Sequence, residues 1–142
     1  MAQRTKTLVQ IAEDHGVILA KEFEPGFIVG TSAAMQRLLV EIPSPNFAAN
    51  VDLGHVFICD PDPLDALRRF GDKMVHGHIS GMPSGVHDHL LPGEGDMDLV
   101  EYIRVLREMD FDGGLALDLY KYDYDKVAAK SAHYLHQLLA ES

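Results

Sequence analysis

The stretch NFAANVDLGH, residues 46–55, is an apolar run that stops at Asp52 and His55. The same layout occurs in GVILAKEFEP at 16–25, KMVHGHIS at 73–80 and GGLALDLY at 113–120. Segments with helical character lie between these stretches. An apolar strand, a polar side chain at its end, a loop and a helix, repeated along a chain, are typical of βα units in a parallel sheet. Such sheets carry their active groups at the carboxyl ends of the strands. We therefore predict an α/β fold, a helix plus four βα units in a single domain over 1–142.

The composition argues against several classes of protein. Hydrophobic residues make up 46% and charged residues 24% of the chain, which is ordinary for a soluble globular domain. The net charge of −10, from 22 acidic and 12 basic residues, argues against nucleic-acid binding, since phosphate binders cluster Lys and Arg. The apolar runs are too short for a membrane span, and the polar amino terminus shows no secretory signal. The single cysteine, Cys59, excludes an internal disulfide, so we expect a cytoplasmic protein. We expect Cys59 itself to be a small buried hydrophobic residue.

Periodicity and turn residues place the elements along the chain. We expect strands over 17–21, 47–51, 73–77 and 115–117, and a functional loop over 81–95. We expect helices over 2–15 and 99–109, a helix from Thr31 or Ser32 to the residues before Pro43, one from Asp62 through Phe70, and a last one from about Asp123 onward. The first helix is expected to turn Leu8, Ile11 and Ala12 inward. Because an open four-stranded parallel sheet leaves two edges unpaired, we expect the chain to need a partner.

Two short motifs at the strand ends carry side chains of the types that bind metals. Asp52 and His55 stand three residues apart, and Gly54 between them allows a sharp turn or a close backbone approach. His76 and His78 point to one face if their segment is extended, because side chains alternate along a strand. The alternatives are a capping or surface role for the first pair, and one buried and one exposed histidine for the second.

The mixture of carboxylates and imidazoles also predicts a kind of chemistry. It suits Mn²⁺, Co²⁺, Zn²⁺ or Mg²⁺, and no thiolate argues for a structural zinc site. A bound cation would polarise a substrate carbonyl while a carboxylate moves the proton. Glu22 and Asp118 are the candidates for that transfer, and Glu24 competes with Glu22 because alternation puts both on one face. His87 and His89 form a further pair within the loop, for which a polar lid is the alternative.

Five stretches together resemble the sugar phosphate isomerase/epimerase family. They are AKEFEPG (20–26), VDLGH (51–55), VHGHI (75–79), HDHLLPGEGDMD (87–98) and LALDLY (115–120), and their order and spacing match together. Members of this family are xylose-isomerase-like TIM barrels, similar in fold to apurinic endonuclease IV. The resemblance implies that the chain forms the (βα)4 carboxyl-terminal half of such a barrel, from the helix before the fifth strand to the helix after the eighth.

The resemblance also implies an activity and its residues. One divalent ion (Mn, Co, Zn or Mg) would be held by Glu22, Asp52, His78 and Asp118. With Glu22 and Asp118 as catalytic groups, the chain would isomerise or epimerise a sugar or sugar-like polyol, moving a proton through a metal-stabilised enediolate. The expected substrate-binding residues are His55, His89, Glu24, His76 and His87.

Three departures from the family pattern keep alternatives open. The first half of the barrel is absent, Asp118 is one methylene shorter than the glutamate expected there, and Ser84 stands where some epimerases place an arginine. A second copy of the chain, pairing edge to edge, or a complementary amino-terminal half-barrel chain would supply the missing half. The alternatives are a catalytically silent metal-binding half-barrel or assembly subunit and, disfavoured by the acidic charge, an abasic-site endonuclease-like hydrolase.

Overall fold

The computed structural model describes residues 1–141. Its strands are β1 (Leu19–Glu22), β2 (Phe47–Asp52), β3 (Met74–Ile79) and β4 (Gly114–Leu117), and its α-helices are α1 (Ala2–Asp14), α2 (Ser32–Glu41), α3 (Leu53–Cys59), α4 (Pro63–Arg68), α5 (Leu99–Glu108) and α6 (Tyr124–Glu141). A 3₁₀ turn, Gly71–Lys73, precedes β3. Every expected strand and helix is present, with the bounds moved by one or two residues. None of the helices in the described part of the chain is long and apolar enough to cross a membrane.

The four strands form one parallel sheet in the order β1-β2-β3-β4. Strands that are adjacent in sequence are therefore adjacent in space, and the chain crosses over through a helical segment between each pair. This is the arrangement of consecutive βα units in a TIM barrel. The sheet is a half-barrel, and β1 and β4 are its edge strands.

The two faces of the sheet differ in chemistry. Phe47, Ala49 and Val51 of β2 belong to the apolar core on the helix side and are at most 1% exposed. Alternation directs Asn50 and Asp52 to the opposite face, which would line the inside of a closed barrel. We call this opposite face the inner face. It carries polar and small side chains, so the polar groups at the strand ends lie where a barrel would enclose them.

Side-chain caps begin four of the helices. The Oγ1 of Thr31 accepts a hydrogen bond from the backbone of α2, and carboxylates of Asp62 and Asp98 do the same for α4 and α5. Asp52 caps α3, which is the capping alternative considered for this residue, although helix α3 itself was not expected from the sequence. Because α3 begins directly after Asp52, β2 passes into a helix without a loop, and His55 is fixed in the first turn of that helix.

The inward side of α1 differs from the prediction. Its buried residues are Thr5, Val9 and Ala12, whereas Leu8 is 53% and Ile11 is 52% exposed. The prediction was right for Ala12 and wrong for Leu8 and Ile11. The physical reason is that α1 lies beside an edge strand, so the sheet covers only one narrow side of the helix.

Candidate active site

Glu22, Asp52 and His78 converge from the carboxyl ends of β1, β2 and β3. One ligand-type atom from each lies within 4.8 Å of the others. The Oε1 of Glu22 is 3.0 Å from Nδ1 of His78. Asp52 is completely buried, and its Oδ1 accepts a hydrogen bond of 3.0 Å from the backbone N–H of His55. The cap on α3 therefore uses one oxygen of Asp52 and leaves Oδ2 for the site.

The atoms at the centre of this group have no hydrogen-bond partners. Glu22 Oε1, Asp52 Oδ2 and His78 Nδ1 are each buried and unpartnered within the described residues. The close approach of Glu22 to His78 is within ion-pair distance but lacks the geometry of a hydrogen bond. Leaving buried polar atoms unpaired costs about 1–3 kcal/mol each. Two carboxylate oxygens and an imidazole nitrogen form a donor set that fits a divalent cation.

Asp118, the fourth expected ligand, lies at the edge of this group. Its Oδ2 is 3.9 Å from Nδ1 of His78 and 3.7 Å from Nδ1 of His89. Asp118, Asp52 and His89 form a second possible metal-binding group, which shares Asp52 with the first. The structure therefore brings the four expected ligands together around Asp52, with Asp118 displaced toward His89.

The loop after β3 adds imidazoles to the same end of the sheet. Nε2 of His87 is 3.0 Å from Nε2 of His55 and 3.2 Å from Nε2 of His89. Nδ1 of His55 is 2.9 Å from the carbonyl oxygen of Phe23. Because a carbonyl only accepts, the proton of neutral His55 is on Nδ1, and its Nε2 lone pair faces the other two rings. The oxygens of Glu24 lie 3.7 Å from both His55 and His87.

His76 is set apart from these groups. Its ring centroid is 5.7 Å from that of His78, with the two rings perpendicular. In the register of the sheet it stands beside Asn50, one repeat below the level of Asp52 and His78. The predicted shared face of the two histidines is consistent with this contact. Within the described residues, His76 belongs to none of the possible metal-binding groups.

Burial and charge shift the pKa values of two site residues. Burial raises the pKa of Asp52 to about 6, although the hydrogen bond from His55 and the charge of His89 oppose the shift. The close contact with Glu22 raises the pKa of His78 above its usual value, and burial opposes it. No Lys or Arg among the described residues forms an ion pair with Glu22, Asp52 or Asp118. The carboxylates of the site are therefore not neutralised by Lys or Arg, which suits a cation site.

Three polar residues near the site were not predicted. Nδ2 of Asn50 is 3.1 Å from Nε2 of His78, and Oγ of the fully buried Ser80 is 3.1 Å from Nδ1 of His89. The ring of Tyr120 lies 5.3 Å from that of His89. Asn50 lies two residues before Asp52 on β2, and Ser80 lies two residues after His78, just past the end of β3, so alternation would have placed each on the face of the predicted ligand.

A parallel half-sheet with carboxylates and imidazoles at the carboxyl ends of its strands defines half of a βα barrel with a candidate metal centre. The chain belongs to the family described as xylose isomerase-like TIM barrel, which matches residues 1–138. The resemblance seen in the sequence is therefore confirmed at the level of family and fold.

Similar proteins place this half-barrel within longer chains. The inosose dehydratase of Geobacillus kaustophilus (strain HTA426) is 26% identical, over 92% of this chain and 50% of its own length. The fructoselysine 3-epimerase of Escherichia coli O157:H7 is 25% identical, over 84% of this chain and 44% of its own. The crystal structure of a D-tagatose 3-epimerase-like protein is 27% identical, with a TM-score of 0.81 over 98% of this chain and 53% of that one. This chain thus spans about half the length of the relatives that it matches.

Proposed function

We propose that this chain provides the metal-binding half of a sugar, or sugar-like polyol, isomerase or epimerase. The observation that carries the proposal is the convergence of three buried, unpartnered ligand atoms, from Glu22, Asp52 and His78, at the carboxyl ends of three adjacent strands. Relatives named as epimerases of sugars support the choice of substrate class. A carbonyl flanked by a hydroxyl-bearing carbon is the group that such a site would act on.

Glu22, Asp52 and His78 would hold a divalent ion, Mn, Co, Zn or Mg, with Asp118 as the fourth ligand. When bound, the ion would supply Lewis-acid polarisation of the substrate carbonyl and acidify the adjacent C–H. Asp52 is fully buried and would serve only as a ligand. Glu22 and Asp118 keep 27% and 28% of their side chains exposed, so both also reach the space that substrate would enter.

The positions of Glu22 and Asp118 suit proton transfer between opposite faces of a substrate. Glu22 ends β1 and Asp118 directly follows β4, at the two ends of the row of site residues. One group, as a carboxylate, would take the proton from the carbon beside the carbonyl, and the other, as a carboxylic acid, would deliver a proton from the far side and become a carboxylate. From the loop side, the exposed His87 would contact substrate hydroxyls with Glu24. The buried His55 and His89 lie within contact of His87 and would shape the site behind it, and His76 would border the space beneath.

Solvent exchange tests this function directly. We expect the protein with Mn²⁺ in D₂O to exchange the hydrogen next to the carbonyl of D-psicose or D-tagatose, as followed by proton NMR. Changing Glu22 to Gln should slow the exchange by about 100-fold or more, since a positioned acid or base contributes that much. Glu41→Gln, on the exposed surface of α2, is the control and should retain the rate. Absence of exchange by protein that has bound metal would contradict the proposed catalysis.

The affinity for metal is expected to depend on pH. A ligand must lose its proton before it binds a cation, and burial raises the pKa of Asp52 to about 6. Because of Asp52 alone, Mn²⁺ affinity should therefore fall by about tenfold per pH unit below pH 6. The raised pKa of His78 should make the fall steeper. Calorimetric titrations with Mn²⁺ at pH 8, 6 and 5 measure this; equal affinities would show that Asp52 is not a ligand.

We also propose that a second copy of this chain completes the barrel. Both edge strands, β1 and β4, lack a neighbour on one side, and each is flanked by a helix with exposed apolar residues. These are Leu8 and Ile11 on α1 and Leu139 on α6, between 41% and 53% exposed. Pairing β4 of each copy with β1 of the other would satisfy both edges at once and enclose the inner face. A complementary amino-terminal half-barrel is the competing partner.

A further inference from the structure

Asn50 occupies a position that bears on how His78 binds metal. It lies on β2 two residues before Asp52, so its side chain is on the inner face. In the parallel register Asn50 stands beside Glu22 of β1. Its amide nitrogen Nδ2 is 3.1 Å from Nε2 of His78, on the side of that ring opposite Nδ1. Asn50 therefore contacts the ring nitrogen of His78 that points away from the candidate metal position.

The ring of His78 can offer only one nitrogen to a cation. Nδ1 is the nitrogen beside Glu22 Oε1, and it is buried and unpartnered. A nitrogen that binds a metal carries no proton, so a neutral His78 in the metal-loaded protein must carry its proton on Nε2. The other N–H of a metal-binding histidine normally donates to an acceptor, which fixes the tautomer and the ring orientation. Here the residue in contact with Nε2 is Asn50.

The amide of Asn50 can serve either tautomer of His78. In the orientation described, Nδ2 faces Nε2, which suits a proton on Nδ1, the nitrogen beside Glu22. The amide oxygen Oδ1 is meanwhile buried and has no hydrogen-bond partner within the described residues. Rotation of the amide by 180° exchanges Oδ1 and Nδ2 without other movement, and Oδ1 then accepts from Nε2–H. That rotation partners the buried oxygen and frees Nδ1 for a cation.

We propose that Asn50 is a positioning residue that holds His78 with its proton on Nε2 and so presents Nδ1 to the divalent ion. The inference rests on the proposed metal site and adds to it a residue that does not touch the metal. A carboxamide both donates and accepts, so Asn50 can donate to Nε2 in the metal-free protein and accept from Nε2–H once the cation is bound. An aspartate at this position accepts but does not donate, and a leucine does neither.

Titration with Co²⁺, followed by visible absorption, tests the proposal. Asn50→Leu should weaken Co²⁺ binding about 10- to 100-fold, the range for loss of an outer-shell partner. Asn50→Asp should bind at least as tightly as the unaltered protein, because its carboxylate still accepts from Nε2–H. Asn46→Leu removes a half-buried amide just before β2, which donates to the carbonyl oxygen of Val17 rather than to a site residue, and should leave binding unchanged. Urea unfolding with chelator present shows that each variant folds.

The added negative charge of Asn50→Asp could by itself strengthen cation binding. Observing the proton on Nε2 of His78 therefore tests the proposed role separately from that charge. In the Zn²⁺-loaded protein, ¹⁵N NMR should show Nδ1 of His78 bound to metal and a protected Nε2–H. Asn50→Asp should keep that protection, and Asn50→Leu should lose it. Equal Co²⁺ affinity in Asn50→Leu, or binding by Asn50→Asp as weak as that of Asn50→Leu, would overturn the proposal. Failure of the unaltered protein to bind Co²⁺ would instead overturn the metal site itself.

Discussion

Replacing Asp52 with asparagine is expected to weaken divalent-cation binding more than 100-fold while leaving the fold intact. The amide oxygen of asparagine can still accept from the backbone N–H of His55, so the cap on α3 is kept. The lost feature is the negative charge at Oδ2, the unpartnered oxygen between Glu22 and His78. Loss of an outer-shell partner alone costs up to about 100-fold in affinity, and a direct ligand should cost more. Mn²⁺ calorimetry measures the change.

The same substitution is expected to stabilise the metal-free protein at pH 8. Burial raises the pKa of Asp52 from 3.8 to about 6, so the fold opposes the charged carboxylate. The folded state then binds more protons than the unfolded state between about pH 4 and 6, and stability falls as pH rises through that range. Removing the charge should recover up to about 3 kcal/mol of unfolding free energy at pH 8 and almost none at pH 3.5. Urea unfolding with chelator present measures it.

Asp62→Asn is the matched control for both effects. Asp62 caps α4 in the same way as Asp52 caps α3, and its side chain accepts from the backbone N–H of Asp65 at an exposed position. It should bind Mn²⁺ like the unaltered protein and change the stability little. Unaltered Mn²⁺ affinity in Asp52→Asn would contradict the assignment of Asp52 as a ligand.

Placing proline at Ala20 is expected to disrupt the assembly of two copies. The N–H of Leu19 donates to Asn46 of β2, so alternation turns the N–H of Ala20 outward to the free edge of β1. Proline removes that donor and places its ring where the partner strand would pair. A closed dimer has two such seams. If each seam loses about 1 kcal/mol of binding free energy, the dissociation constant of the dimer should rise about 30-fold.

Ala20→Val is the control for this change. Valine keeps the N–H and favours an extended strand, so the dimer should persist. Sedimentation over a range of concentrations gives both dissociation constants, and circular dichroism checks the fold. If the unaltered chain sediments as a monomer at all concentrations, the second-copy proposal fails and the complementary half-barrel becomes the partner to seek.

The sequence predicted the elements and the site best where one local pattern decided the outcome. Each apolar run with a polar end became a strand with its ligand at the carboxyl end, as with β3 and His78. The caps at Thr31 and Asp62 were visible because the side chain bonds to a nearby backbone group. Convergence of Glu22, Asp52 and His78 followed from parallel pairing, which aligns strand ends.

Features that depend on tertiary contacts escaped prediction. The inward side of α1 is set by its place beside an edge strand, and so Leu8 and Ile11 were misassigned. The helix α3 is only seven residues long, too short for periodicity to reveal. The contact of Asn50 with His78 joins two strands across 28 positions, and no local pattern encodes it.

Metal content and molar mass, measured together on one chromatographic peak, test the central proposal most directly. After reconstitution with Mn²⁺, Co²⁺, Zn²⁺ or Mg²⁺, light scattering on the size-exclusion peak should give the mass of two chains. Elemental analysis of that peak should give about one ion per chain, held by the group around Asp52, and Asp52→Asn should lose it. A peak that stays free of metal under every reconstitution condition would contradict the metal centre, and a catalytically silent half-barrel would then describe this chain better.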